Sequence, residues 1–308
     1  MTAVLDHVTA SIGHASAAHG EAARAGVAGA GAAMLERLAT RLGGAQHTPR
    51  PRGTRRVICV VAGDHAVGDP GIELGADHPT VVAARAIADG SAALAQLART
   101  THTPIVLVDA GVREPTHMPS LAVTLPARNS PEAQLEAGIA LAISLAEGDG
   151  ERLSVIALGA LGVGSEIASA ALLGAITGVA PTGLGDPEAE AEGARASSRG
   201  PGSAFDLLAR YGGPETGVLA GLILAAASMN IAVILDGHAT GAAALVAAHH
   251  AQTAAGYLVA AHRGTFTMPR TLVHLGLEPM FDVGLGHGEG AGGAMILPLV
   301  DQVASLTG

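Results

Sequence analysis

Five short runs rich in β-branched residues recur along the chain: Arg55–His65 (RRVICVVAGDH), Thr103–Val112 (TPIVLVDAGV), Leu153–Gly164 (LSVIALGALGVG), Asn230–His238 (NIAVILDGH) and Gly256–Arg263 (GYLVAAHR). Each is apolar without interruption, where a half-exposed strand would alternate. Such runs suit strands buried on both faces of a parallel sheet. Alanine-rich helical segments separate them, among them PEAQLEAGIALAISLAEG and SEIASAALLGAITG. Strand and helix in repeated alternation predict a doubly wound α/β architecture, a mostly parallel sheet with helices on both faces. The first fifty residues carry no strand signal and end in the Pro/Arg linker HTPRPRGTRR. The last thirty combine a strand, a glycine-rich loop and a terminal helix. The two ends are expected to form a smaller, mainly helical domain, residues 1–52 with 280–308, beside a large α/β domain over residues 53–279.

The core of such a sheet must be built from small side chains, because aromatic residues make up 2% of the 308 and tryptophan is absent. Too few rings remain to stack on unpaired bases, and a net charge of −10 repels a phosphodiester backbone, so nucleic acid is not an expected partner. The lone cysteine, Cys59, sits inside the run VICVV and reads as core; one chain can build neither a disulfide nor a cysteine metal site. All 17 basic residues other than histidine are arginines. Without lysine there is no Schiff base and no Walker lysine, and any phosphate must be held by arginine, helix N-termini or backbone amides. The N-terminus lacks the basic start and long apolar segment of a leader. Residues Gly217–Gly237 approach membrane length, but Ser228, Met229 and Asn230 divide them into a helix-like half and a strand-like half. The expectation is a soluble cytoplasmic protein.

Polar residues and glycines end every strand: Asp64 and His65, Asp109, the stretch Gly159 to Gly164, Asp236 with Gly237 and His238, and His262 with Arg263. In open parallel sheets ligands bind beyond the carboxyl ends of strands, so these residues would converge on one rim. For any single strand they also serve as ordinary loop starters. Gly162 and Gly164 open a helix-like segment and could aim amides at an anion, although the same glycines suit a packing turn. Glu166, in the first turn, would compete with a bound phosphate. The 14 histidines form no zinc signature, and no serine carries a GxSxG elbow. One acid stands apart. Glu289 lies among Gly286, Gly288, Gly290, Gly292 and Gly293, with Leu297 and Leu299 following. Either this is a tight turn with an incidental acid, or bare backbone makes room for a ligand that Glu289 faces. A carboxylate shielded from water suits a general base.

The order AGDHAV, LVDAGV, GALGVG, YGGPETGVLAG, VILDGHATGAAALVAA, LGLEPMFDVGLGHGEGAGGAMILPLV, running from about Val57 to the C-terminus, resembles the nicotinate-nucleotide–dimethylbenzimidazole phosphoribosyltransferase family. The most specific pieces are the LDG–AAALVAA block and the GEG–PL block. The resemblance implies a homodimer that needs no cofactor or metal. It implies a reaction in which a benzimidazole nitrogen attacks C1′ of nicotinate mononucleotide, giving α-ribazole phosphate, the lower-ligand nucleotide of cobalamin, and nicotinate. It makes Glu289, in GEG, the catalytic base. Together with the strand-end pattern it gives the expected substrate contacts: Asp64, His65, Glu73, Asp109, Gly159, Gly162, Gly164, Ser165, Asp236, Gly237, Arg263 and Gly288. Departures cluster at the ligand positions. The family loop GEMGIGNTT is here GALGVGSEI, so Ala160, Ser165 and Glu166 replace an acid, an asparagine and a threonine. The segment GVSxYP is GIELGADHP, with Glu73 where serine is usual, the segment KPxGSLGRLE is reduced to GVAGAGAAMLERLA, and GEGTG is GEGAG. The family's phosphate-side lysine has no counterpart. These changes leave a second expectation open, a divergent paralogue that binds a nucleoside or azole base without turnover, as a sensor or partner protein.

Overall fold

The computed structural model describes residues 3–65, 75–112, 122–124, 130–148, 150–286 and 288–308. Among them, seven strands form one sheet: β1 (Arg56–Gly63), β2 (Ile105–Gly111), β3 (Ala122–Thr124), β4 (Val155–Leu161), β5 (Ala232–Leu235), β6 (Leu258–His262) and β7 (Pro279–Phe281). Their order is β3-β2-β1-β4-β5-β6-β7, and every neighbouring pair is parallel. This is the doubly wound architecture that the uninterrupted apolar runs predict. β4 is buried at all seven positions and β1 at all but its first, as a sheet covered on both faces requires.

Three helices precede the sheet: α1 (Ala3–Ala10), α2 (Ala17–Val27) and α3 (Ala33–Ala45). The connection from β1 to β2 carries α4 (Pro79–Ala88) and α5 (Ala93–Thr100). By length and composition the stretch Pro79–Thr100 passes as a membrane span, but it folds as two helices of 10 and 8 residues. Helix α6 (Pro131–Ala146) leads to β4. Its start follows from sequence: Pro131 occupies the first turn, and the Ser130 hydroxyl accepts the Ala133 N–H at 3.1 Å. Between β4 and β5 lie α7 (Ser165–Thr177), α8 (Pro187–Arg199), α9 (Ala204–Tyr211) and α10 (Pro214–Ser228). Then follow α11 (Gly237–His250), α12 (Met268–Leu275) and the terminal α13 (Ala291–Thr307). The helix-like and strand-like halves of residues 217–237 become the end of α10 and β5.

Helix α10 packs between α6 and α11, and α7 packs on α11 and α8. A second group, α3, α5 and α13, packs together, with α13 lying on β4 and β6. One continuous core joins these layers to the sheet and includes Leu5, Leu38, Cys59, Leu158, Ile234 and Ile296. Alanine dominates it, and among the described residues the bulkiest wholly buried side chain is Tyr257. The chain leaves β1 toward β2 and β3 on one side and returns to β4 on the other. The strand order therefore reverses between β1 and β4, the position where open α/β sheets gather ligands.

Candidate active site

A cleft of about 420 Å³ opens at that reversal point. Its walls are the end of β4 and start of α7, the start of α4, the start of α11 and the loop before α13. Of the residues singled out from sequence, Ala160, Gly162, Gly164, Ser165, Glu166, His238, Gly286, Gly288 and Glu289 line it. Asp64 and His65 line a neighbouring cavity of about 380 Å³ that shares Ile167 and Glu188 with the cleft. Asp109 is buried and accepts the N–H groups of Gly111 and Val112, both at 2.9 Å, which shapes the turn after β2. Arg263 is exposed, away from the cleft lining, with Asp282 at 3.4 Å. Glu73 falls outside the described residues.

Three strand ends grip the loop that carries Glu289. From β4, the Ala160 N–H donates to the Gly288 carbonyl at 3.0 Å. From β5, Asp236, wholly buried, accepts the N–H groups of Gly290 and Gly292 on one carboxylate oxygen, at 2.8 and 3.0 Å. From β6, the buried His262 donates from Nε2 to the other Asp236 oxygen. The Gly264 N–H donates to His262 Nδ1 at 2.9 Å, which leaves the ring proton on Nε2. The glycines allow this contact. A methyl group on Gly159 would sit 2.5 Å from the Glu289 carbonyl carbon and 2.7 Å from Gly290 N. Gly237 and Gly288 touch backbone to backbone, and a Cβ on Gly288 would lie 2.8 Å from the Gly237 Cα. The bare backbone around Glu289 thus serves first to seat the loop on the sheet. Held this way, Glu289 is half-buried on the cleft wall.

The opposite wall is the glycine loop. Gly164 adopts the left-handed conformation (φ 83°) and starts α7 with no side-chain cap. The Ser165 hydroxyl lies 3.1 Å from His238 Nε2, and Glu166 lies 4.0 Å from the same nitrogen. A Cβ on Gly162 would overlap the Gly63 carbonyl, so the loop lies directly on the end of β1. There the buried Asp64 accepts the Val163 N–H at 3.0 Å and the Thr80 hydroxyl. Asp186 and Glu188 complete this side, and Asp186 caps α8 by accepting the Glu188 and Ala189 N–H groups. With Glu289 the described lining carries four carboxylates and no arginine. His238, expected at the rim as a strand-end residue, does line the cleft, whereas the sequence reading did not assign Asp186 or Glu188 to the site. Asp186–Pro187 is a legible helix start, but only the fold brings it to the cleft.

Behind the glycine loop His65 and Glu215, 5% and 1% exposed, pair through Nε2 and Oε1 at 2.8 Å. Burial works against a charge on His65. The Glu215 carboxylate and its hydrogen bond, joined by Asp64 and Glu166, outweigh burial and hold the imidazole above its usual range. Among the described residues, no group of three or more histidine, cysteine or acidic side chains is placed to hold a metal ion.

Comparison with known proteins agrees with this fold. A family model described as phosphoribosyltransferase matches residues 13–307. The nicotinate-nucleotide–dimethylbenzimidazole phosphoribosyltransferase of Roseiflexus sp. (strain RS-1) is 33% identical, covering 88% of this chain and 84% of its own. The protein of that name from Desulforamulus reducens is 32% identical, covering 89% and 85%. The crystal structure of the nicotinate-nucleotide–dimethylbenzimidazole phosphoribosyltransferase of Thermus thermophilus superposes with a TM-score of 0.76 at 27% identity, over 89% of this chain and 88% of that one.

Proposed function

We propose a function from one premise: the chain belongs to the nicotinate-nucleotide–dimethylbenzimidazole phosphoribosyltransferase family. It transfers the phosphoribosyl group of nicotinate mononucleotide to a benzimidazole-type base, giving α-ribazole phosphate, the lower-ligand nucleotide of cobalamin, and nicotinate. The observation that carries the reading is the placement of Glu289. It lies half-buried on the wall of the cleft at the strand-order reversal, on a loop anchored to three strand ends.

One ring nitrogen of the base forms the new bond to C1′. The bond from C1′ to the nicotinate nitrogen breaks, and its electron pair stays on that nitrogen and cancels the pyridinium charge. The leaving group therefore needs no proton. The proton lost from the second ring nitrogen goes to the Glu289 carboxylate, which makes the attacking ring more nucleophilic as C1′ becomes electron-poor. Gly162, Gly164 and Ser165 face the ribosyl phosphate. The uncapped amides at the start of α7 are its natural donors, since none of the described lining residues is an arginine. Gly288 seats the loop on Gly237, and Gly286, with open space beside its Cα on the cleft lining, leaves room for a flat ring. Asp64, His65, Asp109, Gly159, Asp236 and Gly237 keep the rim in shape. The working form is a cytoplasmic homodimer.

The test is incubation with nicotinate mononucleotide and dimethylbenzimidazole, following released nicotinate and the new riboside phosphate by mass spectrometry. Turnover is expected, and Glu289→Gln should lower kcat by about 10²–10⁴-fold without loss of fold. Calorimetric binding of the azole with no nicotinate release would instead identify a non-catalytic paralogue. A near-normal rate in Glu289→Gln would remove Glu289 as the base.

A further inference from the structure

The geometry points to Asp236 and His262 as a positioning pair for the base: we propose that they fix the Glu289 loop in its reactive register and act on the reaction only through Glu289. This rests on the role given to Glu289 above.

Asp236 ends β5 and is wholly excluded from solvent, yet it does not line the cleft. A buried carboxylate is costly unless its oxygens are well partnered. Here each has a partner tied to the loop or to the strand beside it. One oxygen accepts the amides of Gly290 and Gly292, the residues one and three positions after Glu289. The other takes the Nε2 proton of His262. That proton is directed by the Gly264 amide, which donates to the opposite ring nitrogen. The chain of contacts is Gly264 N–H to His262, His262 to Asp236, and Asp236 to the amides that follow Glu289 at the start of α13. Each link carries an orientation to the next. The negative charge also sits at the N-terminus of α13, where the helix dipole favours it. A Cβ on Gly292 would lie 2.5 Å from the His262 ring, so glycine at the start of α13 is what lets the ring lie against it.

Asparagine at position 236 has one carbonyl oxygen and one amide. It can accept the two loop N–H groups or the His262 proton, but not all three. The loop should loosen while the sheet stays intact. We expect Asp236→Asn to lower kcat by about 10²-fold, the loss typical of a misplacement near 1 Å, with the KM for nicotinate mononucleotide little changed. His262→Gln, which keeps a donor but not its aim, should give a smaller loss of the same kind.

The decisive measurement is a double-mutant cycle in kcat with Glu289→Gln, using the full chain, with thermal unfolding recorded for each variant. If the pair acts through Glu289, adding Asp236→Asn to Glu289→Gln changes the remaining rate by less than about 2-fold. Benzimidazoles with increasingly acidic ring N–H groups supply a second readout. The deficits of Asp236→Asn and Glu289→Gln should shrink together along that series, which a purely structural lesion would not produce. Losses that multiply in the double variant, or a deficit indifferent to ring acidity, overturn the proposal. Should Asp236→Asn fail to fold, the same cycle with His262→Gln decides it. A Glu289→Gln single variant of normal rate would instead remove the premise, so the two failures are distinguishable.

Discussion

Replacing Gly159 with alanine tests whether the seat of the Glu289 loop sets the reaction rate. The added methyl would lie 2.5 Å from the Glu289 carbonyl carbon and 2.7 Å from Gly290 N. Relaxed contacts between such atoms lie at about 3.5–4.0 Å, so loop and strand must part by about 1 Å. The strand has little freedom to give way, since β4 is wholly buried and paired with β1 along its whole length. The loop moves instead, and it takes Glu289 with it. Overpacking of this kind costs about 1–3 kcal/mol of stability, whereas about 1 Å of misplacement at the chemistry costs about 10²-fold in rate. Gly138→Ala provides the contrast. Its methyl would press on Leu222 N at 2.7 Å and on the Val218 carbonyl carbon at 2.8 Å, in the α6–α10 contact away from the cleft. Both variants should unfold at lower temperature. Only Gly159→Ala should lose kcat per folded molecule, read as nicotinate release normalised to the folded fraction. If Gly159→Ala keeps the wild-type kcat, or Gly138→Ala loses as much, the rate does not depend on the seat of the loop.

Three further outcomes follow from the site and the core. Glu166 puts a negative charge in the first turn of α7, where the proposed phosphate would bind; Glu166→Gln should lower the KM for nicotinate mononucleotide by about 2- to 5-fold and leave that for nicotinate riboside unchanged, an effect near 0.3–1 kcal/mol. Because His65 holds its proton above its ordinary range in the folded state, its contribution to stability is fully present below the unfolded value of about 6.5 and is lost as pH rises through the folded value. Urea unfolding should therefore find Glu215→Gln further below wild type at acidic pH than at alkaline pH, and a gap of constant size would contradict the pairing. Burial pushes the Cys59 thiol up to about 12, so thiol reagents at mildly alkaline pH should modify it only after denaturation.

The sheet was legible because its physical cause is local. A strand buried on both faces must be apolar at every position, and all five runs named from sequence became strands within a few residues of their expected ends. A strand expected near the C-terminus is present as Pro279–Phe281. Ala122–Thr124 was not anticipated: three residues at a sheet edge carry too little pattern, and edge strands need no second covered face. The apolar segment Pro79–Thr100 has the length and composition of one helix but is two, since Asp89 and Gly90 turn the chain before α5 begins. The helix α8 had no apolar stripe to announce it, although Asp186–Pro187 marks its start.

The site was legible in its members more than in their duties, and the reason is geometric. A sequence can mark polar residues at strand ends, because such residues interrupt an apolar run. It cannot say which of them face the crevice and which face one another. Asp236 and Glu289 look alike in the chain: each is a single acid beside glycine after an apolar stretch or before one. The register of β5 and the seating of α13 separate them. They bury the first against two amides and a histidine and leave the second on the cleft wall. The glycines around Glu289 carry the same ambiguity, since space for a ligand and space for a neighbouring strand select the same residue. Contacts of Gly159 with the Glu289 backbone and of Gly237 with Gly288 resolve it toward the strand. A loop seated so closely cannot drift, so one carboxylate keeps a fixed place without any bulky side chain occupying the space that an incoming ring would need.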